Sequence, residues 1–123
     1  CLRCRHMSLE SDLYTVLAAV CPRTYPDVAP TTTVRPYVTY QQIGGAAINF
    51  VDRLVPNKRN ARVQVNVWAD TRASAVTTMQ AIEDAIRMSV LFQGEPESAP
   101  ISDYDHDMLV YGSAQDFTIW ADR

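Results

Sequence analysis

From Arg62 to Ala69 the chain alternates strictly: Val63, Val65 and Val67 are interleaved with Arg62, Gln64, Asn66 and Trp68. A period of two places the valines on one face of a β-strand and the polar residues plus the tryptophan on the other. After Asp70 and Thr71, either of which can supply an N-cap oxygen, the spacing turns helical. Val76, Met79, Ile82, Ile86 and Val90 then share one stripe, and this helix is expected to end near Gly94. Earlier in the chain Ser8 can cap a helix that carries Leu9, Leu13, Val16, Leu17 and Val20 on one face. Cys21-Pro22 closes it, because the residue before a proline avoids the α region.

The segments between these elements are shorter and more irregular. Tyr25 to Pro30 is a proline-punctuated extended loop, and Pro36 to Ile43 is a strand rich in aromatic and β-branched residues. Gly44-Gly45 breaks that strand, and Ala46 to Val51 can pair back on it. Asp52 to Asn60 is polar, contains the turn signal Pro56-Asn57, and carries Arg53, Lys58 and Arg59; it is expected to be a mobile loop. Gly94 to Pro100 reads as a linker within the domain. A short strand near Ile101 and Asp103, a turn over Asp105 to Asp107 and a last strand from Leu109 to Ala121 follow. The order is helix, two or three strands, helix, two strands. It predicts an α+β fold, a mostly antiparallel sheet with two helices packed on one face. In that fold Val63, Val65 and Val67 face Leu13, Val16, Leu17, Met79, Ile82 and Ile86, since apolar sets of period two and period 3.6 must bury one another.

Composition adjusts this picture at the N-terminus. Cys1-Leu2-Arg3-Cys4-Arg5-His6 ahead of Met7 reads as a cloning remnant, which leaves residues 7–123 as a single domain with enough chain for one core. Setting aside Arg3 and Arg5 leaves nine basic residues against fourteen acidic ones, a net charge of about −5. That balance argues against bulk nucleic-acid binding, which rests on Lys and Arg at phosphates. Cys21 is then the remaining cysteine, so no disulfide framework is expected, in keeping with a reducing cytoplasm. No apolar run approaches the ~20 residues that span a bilayer, and no charged-then-apolar leader follows Met7, so no membrane partner is expected.

Candidate chemistry is sparse. Asp103-Tyr104-Asp105-His106-Asp107 is the densest polar cluster. Carboxylates and imidazole suit a divalent ion, but the cluster lacks the glycine and distal glutamate of a calcium loop, and Asp and His are favoured turn residues. Cys1-x-x-Cys4-x-His6 lacks the second pair of a structural zinc site. His106 is the sole histidine after Met7, no Gly-x-Ser-x-Gly elbow is present, and Glu83 is placed to pair with Arg87 on a solvated helix face. No catalytic, cofactor-binding or metal-ligating residue is assigned, and no enzyme activity is expected. What remains is one basic cluster, Arg53, Lys58, Arg59 and Arg62, and an aromatic set, Tyr37, Tyr40, Trp68, Phe117 and Trp120, larger than one small core needs. Trp68 shares its strand parity with Arg62, Gln64 and Asn66 and is a contact candidate on the face away from the valines. The candidate interface residues are therefore Arg53, Lys58, Arg59, Arg62 and Trp68.

Four segments then line up in order: Met7 to Tyr14, Tyr25 to Pro30 with Pro36 to Tyr40, Arg62 to Ala69, and Ser113 to Trp120. Together they resemble the tail-completion family of long-tailed bacteriophages and prophages. The resemblance covers essentially all of the chain after Met7. It implies a tail terminator or head-to-tail joining protein that forms a ring, commonly a hexamer, on the last ring of the tail tube. Such a protein stops tube polymerisation and presents a surface to the head connector, while DNA passes only through the lumen. Its partners would be further copies of itself, the tail tube protein and the head connector protein. It would reside in the virion tail, and in the host bacterial cytoplasm during assembly. The family has no catalytic residues to carry over. The alternative is a small intracellular ligand-binding or regulatory α+β domain, with a pocket between sheet and helices lined by Tyr37, Tyr40 and Trp68.

Overall fold

A strand of 12 residues, β3 (Lys58–Ala69), forms the axis of the molecule and pairs along its whole length with the C-terminal strand β6 (Val110–Asp122). The antiparallel register runs from Lys58 opposite Asp122 to Ala69 opposite Tyr111. On its other side β3 pairs with β2 (Tyr37–Gly44), also antiparallel, with a bulge between Gln42 and Gly44. A three-residue strand β1 (Thr24–Pro26) lies parallel to β2 at that edge. The far edge of β6 is shared: β4 (Gln93–Pro96) pairs with residues 117–120 of β6, and β5 (Ile101–Asp105) pairs with residues 110–114. Helices α1 (Leu9–Val20) and α2 (Arg72–Met88) complete the fold. The computed structural model describes residues 9–30, 34–45, 58–106 and 109–122.

The expected α+β class and its mostly antiparallel sheet are what the structure shows, with β1 against β2 as the parallel exception. Val63, Val65 and Val67 are buried in one cluster with Leu13, Leu17, Met79, Ile82 and Ile86, and Val16 packs against it. Both helices therefore cover the valine face. Each such side chain removed from water contributes about 1.5–3 kcal/mol before chain entropy is set against it, so the valine stripe is a substantial part of what holds the sheet to the helices. Phe117 and Ile119 of β6 and Val38 of β2 extend the buried surface across the sheet.

Helix α2 begins where the switch in pattern places it. Thr71 is the N-cap, in an extended conformation, and its Oγ1 accepts the Ser74 N–H at 3.1 Å. The end differs from expectation. The helix stops at Met88, because Ser89 turns extended while its N–H still donates to the Ile86 carbonyl. The buried stripe is Ala75, Met79, Ile82 and Ile86, so Val76 and Val90 face solvent. The early stop lets the chain turn and lay Gln93–Pro96 on β6 as β4, so the segment read as a linker is partly strand. Gly94 makes that return possible: a Cβ there would stand 2.7 Å from the Ile86 Cγ2. Among the described residues three strands thus follow α2, where two were expected. Ser8 and the proposed return strand Ala46 to Val51 lie outside the described residues.

Candidate assembly interface

The second face of the sheet carries neither helix. Opposite the core residues of β3 it presents Arg62, Gln64, Asn66 and Trp68, flanked by Tyr37, Thr39 and Gln41 of β2 and by Gly112, Ala114, Asp116 and Thr118 of β6. Trp68 lies on this face, as its parity requires, and is half-buried.

At the end of the face near Trp68 the surface sinks into an open depression of about 330 Å³. Trp68 and Tyr37, cross-strand neighbours, form one side of it, Thr39 and Asn66 form the polar floor, and Val110 lies beyond. Asp27 and Val28, which follow β1, and Asp105 at the end of β5 complete the rim. Two sequence features shape it. The Trp68 indole lies against Gly112, the residue opposite it in the register; a Cβ on Gly112 would stand 2.7 Å from the ring Cζ3. Asp27 adopts φ 59°, a left-handed conformation that Asp tolerates better than most residues, and its N–H donates to the Tyr40 carbonyl at 2.9 Å. Val28 is left 79% exposed.

Of the described sequence-predicted residues, Trp68 lines this depression and Arg62, Lys58 and Arg59 do not. Arg62 lies on the same face as Trp68 but six residues back along β3, about 20 Å away at the rise of an antiparallel strand. Its guanidinium is engaged: Nε contacts Glu97 Oε2 at 2.7 Å and Nη2 contacts Asp116 Oδ2 at 3.3 Å. The Glu97 N–H donates to the Asp116 carbonyl, which holds the two carboxylates around the arginine. With the guanidinium half exposed, this network contributes at most about 1 kcal/mol, but it compensates the charge that the basic cluster was to project. Lys58 and Arg59 were expected in a mobile loop and instead open β3, opposite Asp122 and Ala121. The polar pattern hid this: backbone pairing with the long β6 holds these positions in the ladder whatever their side chains. Arg53 lies outside the described residues.

The pocket expected between sheet and helices does not exist in that form. Tyr40 faces the helices and is buried, whereas Tyr37 and Trp68 stand on the opposite face. Sequence reasoning also missed Asp27, Val28 and Gly112 as parts of a site. The glycine within an otherwise regular strand pattern was the available signal, since it marks a close approach.

The polar cluster near the chain end is also placed. β5 runs through Asp105, so the turn begins at His106, one residue later than expected. His106 packs edge-on against Tyr104 at 4.8 Å, and Tyr104 stacks at a tilt on Tyr111, over which the Arg72 guanidinium sits at 5.7 Å. Among the described residues no group of three or more His, Cys, Asp or Glu could hold a metal ion. Cys21 is buried, with its thiol 3.6 Å from the Pro36 carbonyl. Glu83 pairs with Arg87 at 3.3 Å and also accepts a hydrogen bond from the Gln115 carboxamide at 2.9 Å. Among the described residues the titratable group with a perturbed environment is Asp12 on α1, whose carboxyl is pushed above its usual range by burial.

Among curated proteins no sequence matches. A solved structure titled virion of native gene transfer agent (GTA) particle contains a chain with the same fold, at TM-score 0.71 and 15% identity, the match covering 94% of this chain and 96% of that one. The sequence model of the family described as tail completion protein gp17 matches residues 6–122. A match over nearly the whole sequence makes the chain a member of the tail completion protein gp17 family, structural proteins of phage tails.

Proposed function

We propose that this protein completes a phage tail by forming a ring, hexameric in the first instance, on the end of the tail tube. There it stops tube polymerisation and offers its other side to the head connector, with DNA passing through the lumen and no chemistry performed. The observation that supports this most is the family match over residues 6–122, seconded by a fold shared with a chain of a gene transfer agent particle. The structure is suited to the task. One sheet face is spent on the core, while the other, free of helices among the described residues, carries the half-buried Trp68 and ends in an open depression. Two different surfaces of one subunit meeting head to tail, with a rotation that closes, give a ring. Free subunits associate weakly, since a protomer that closed rings readily would assemble away from the tube. The tube end acts as template and raises the effective concentration of each weak contact. The protein then resides in the virion tail, having been made in the bacterial cytoplasm.

Depletion of the protein during phage growth tests this reading. Tails should become abnormally long and fail to join heads. Tails of normal length that still join heads would refute it and promote a ligand-binding role for the depression.

A further inference from the structure

We infer that the depression beside Trp68 is the socket of the subunit–subunit contact, and that its occupant is the basic segment Arg53 to Arg59 of a second copy of this chain. The inference rests on the ring reading and names the surface that would close it.

The socket has a definite chemistry. Its lining includes two carboxylates, Asp27 and Asp105, and no lysine or arginine, and it offers apolar and aromatic surface from Val28, Tyr37 and Trp68. Asp103, two residues before Asp105 on β5, adds a further acidic position at this end. The ligand it suits is a short segment with cations at intervals and aliphatic groups between them, since an indole face attracts both. This chain contains such a segment: Arg53-Leu54-Val55-Pro56-Asn57-Lys58-Arg59 holds three cations around Leu, Val and Pro.

Geometry decides which copy supplies it. Lys58 and Arg59 open β3, and Trp68 lies near its other end, ten residues on. At ~3.3 Å per residue the two positions are ~33 Å apart. The five residues from Arg53 to Lys58 span at most ~18 Å even when fully extended, so the segment falls short of the socket of its own chain. A basic segment at one end of β3 and an acidic depression at the other are too far apart to meet within a subunit. Between subunits they make a head-to-tail contact, the kind that repeats around a ring.

The test uses two charge-altered full-length chains, Asp27→Asn/Asp105→Lys and Lys58→Glu/Arg59→Glu, with purified tail tubes and electron microscopy of capped ends. Asparagine replaces Asp27 because it also tolerates positive φ. Each variant alone should need at least about tenfold more protein than wild type to half-cap the tubes, because like charges then face each other at every contact. An equimolar mixture should recover capping, since in an even-membered ring each altered socket can meet the opposite alteration on its neighbour. A Trp120→Phe background adds a second readout, in which the Trp68 emission should shift to shorter wavelength on capping. Normal capping by either variant alone, or folded variants whose mixture fails, would overturn the socket. Failure of the wild-type protein to cap tubes at all would overturn the ring reading beneath it.

Discussion

Replacing Gly112 with alanine probes the device that shapes the outer face. The new Cβ would stand 2.7, 3.0 and 3.2 Å from Cζ3, Cε3 and Cη2 of Trp68. Carbon atoms settle at about 3.5–4.0 Å, so the ring edge must retreat by about 1 Å. The clash falls on the far end of a half-buried side chain on the face away from α1 and α2, and the ring can tilt toward solvent without moving β3 or β6. Tilting off a preferred rotamer costs about 0.5–1.5 kcal/mol. Against this, removing a glycine from the unfolded chain stabilises by about 0.4–1 kcal/mol where the native backbone suits an L-residue. The two nearly cancel, leaving a net loss of about 0–1 kcal/mol, or at most ~5 °C in Tm for a domain of this size. The displaced indole should nevertheless be conspicuous. In a Trp120→Phe background the Trp68 emission of Gly112→Ala should shift to longer wavelength, with half-capping of tubes requiring more protein. Unchanged emission would mean that the ring does not rest on Gly112. A loss beyond about 3 kcal/mol would mean that the outer face is locked into the core and cannot yield.

Further expectations concern the core and its ends. Val65→Ala should cost about 2 kcal/mol, and Val65→Asp should cost about 4 kcal/mol or more at neutral pH, because Val65 is fully buried and central in the sheet. The excess of aspartate over alanine should shrink near pH 3, where the new carboxyl is protonated in both states; equal Tm for Val65→Asp and wild type would refute the core assignment. Asp12 is 8% exposed, and its Oδ1 has no hydrogen-bond partner among the described residues. Its raised folded pKa means that the folded state holds the proton more tightly, so stability is lost as pH rises from 3.8 through the folded value. Asp12→Asn should therefore gain on wild type between pH 3 and pH 7 in thermal melts, and a pH-independent difference would contradict this. Thr71→Ala should lower stability by about 1 kcal/mol through loss of the bond to the Ser74 N–H, read as a fall of ~4–5 °C in Tm.

Much of the fold was legible because pattern and burial coincide. The valine alternation in β3 and the stripes of α1 and α2 each report a face that must leave water, and those faces meet in the core. Errors arose where backbone pairing overrides side-chain pattern. Lys58 and Arg59 carry no apolar signal yet lie in β3 because β6 continues opposite them. Gln93–Pro96 reads as loop by its Gly, Glu and Pro, yet a ladder partner and the space left by Gly94 beneath Ile86 make it a strand. For the interface, parity put Trp68 on the correct face. Its setting depends on residues far apart in sequence, Asp27, Asp105 and Gly112, which only strand order brings together. Arg62 is set apart from the other basic positions by its pairing with Glu97 and Asp116, two acidic residues whose proximity no local spacing reveals.

In the proposed function this protein closes a ring on the end of a tail tube. Electron microscopy of purified tail tubes incubated with the protein, with class averages of the tube ends, tests it most directly. A single closed ring of this protein at one end of each tube, and no further growth from that end when tube subunits are added, is the expected result. Bare tube ends, protein bound along the tube wall, or continued growth through bound protein would contradict the account.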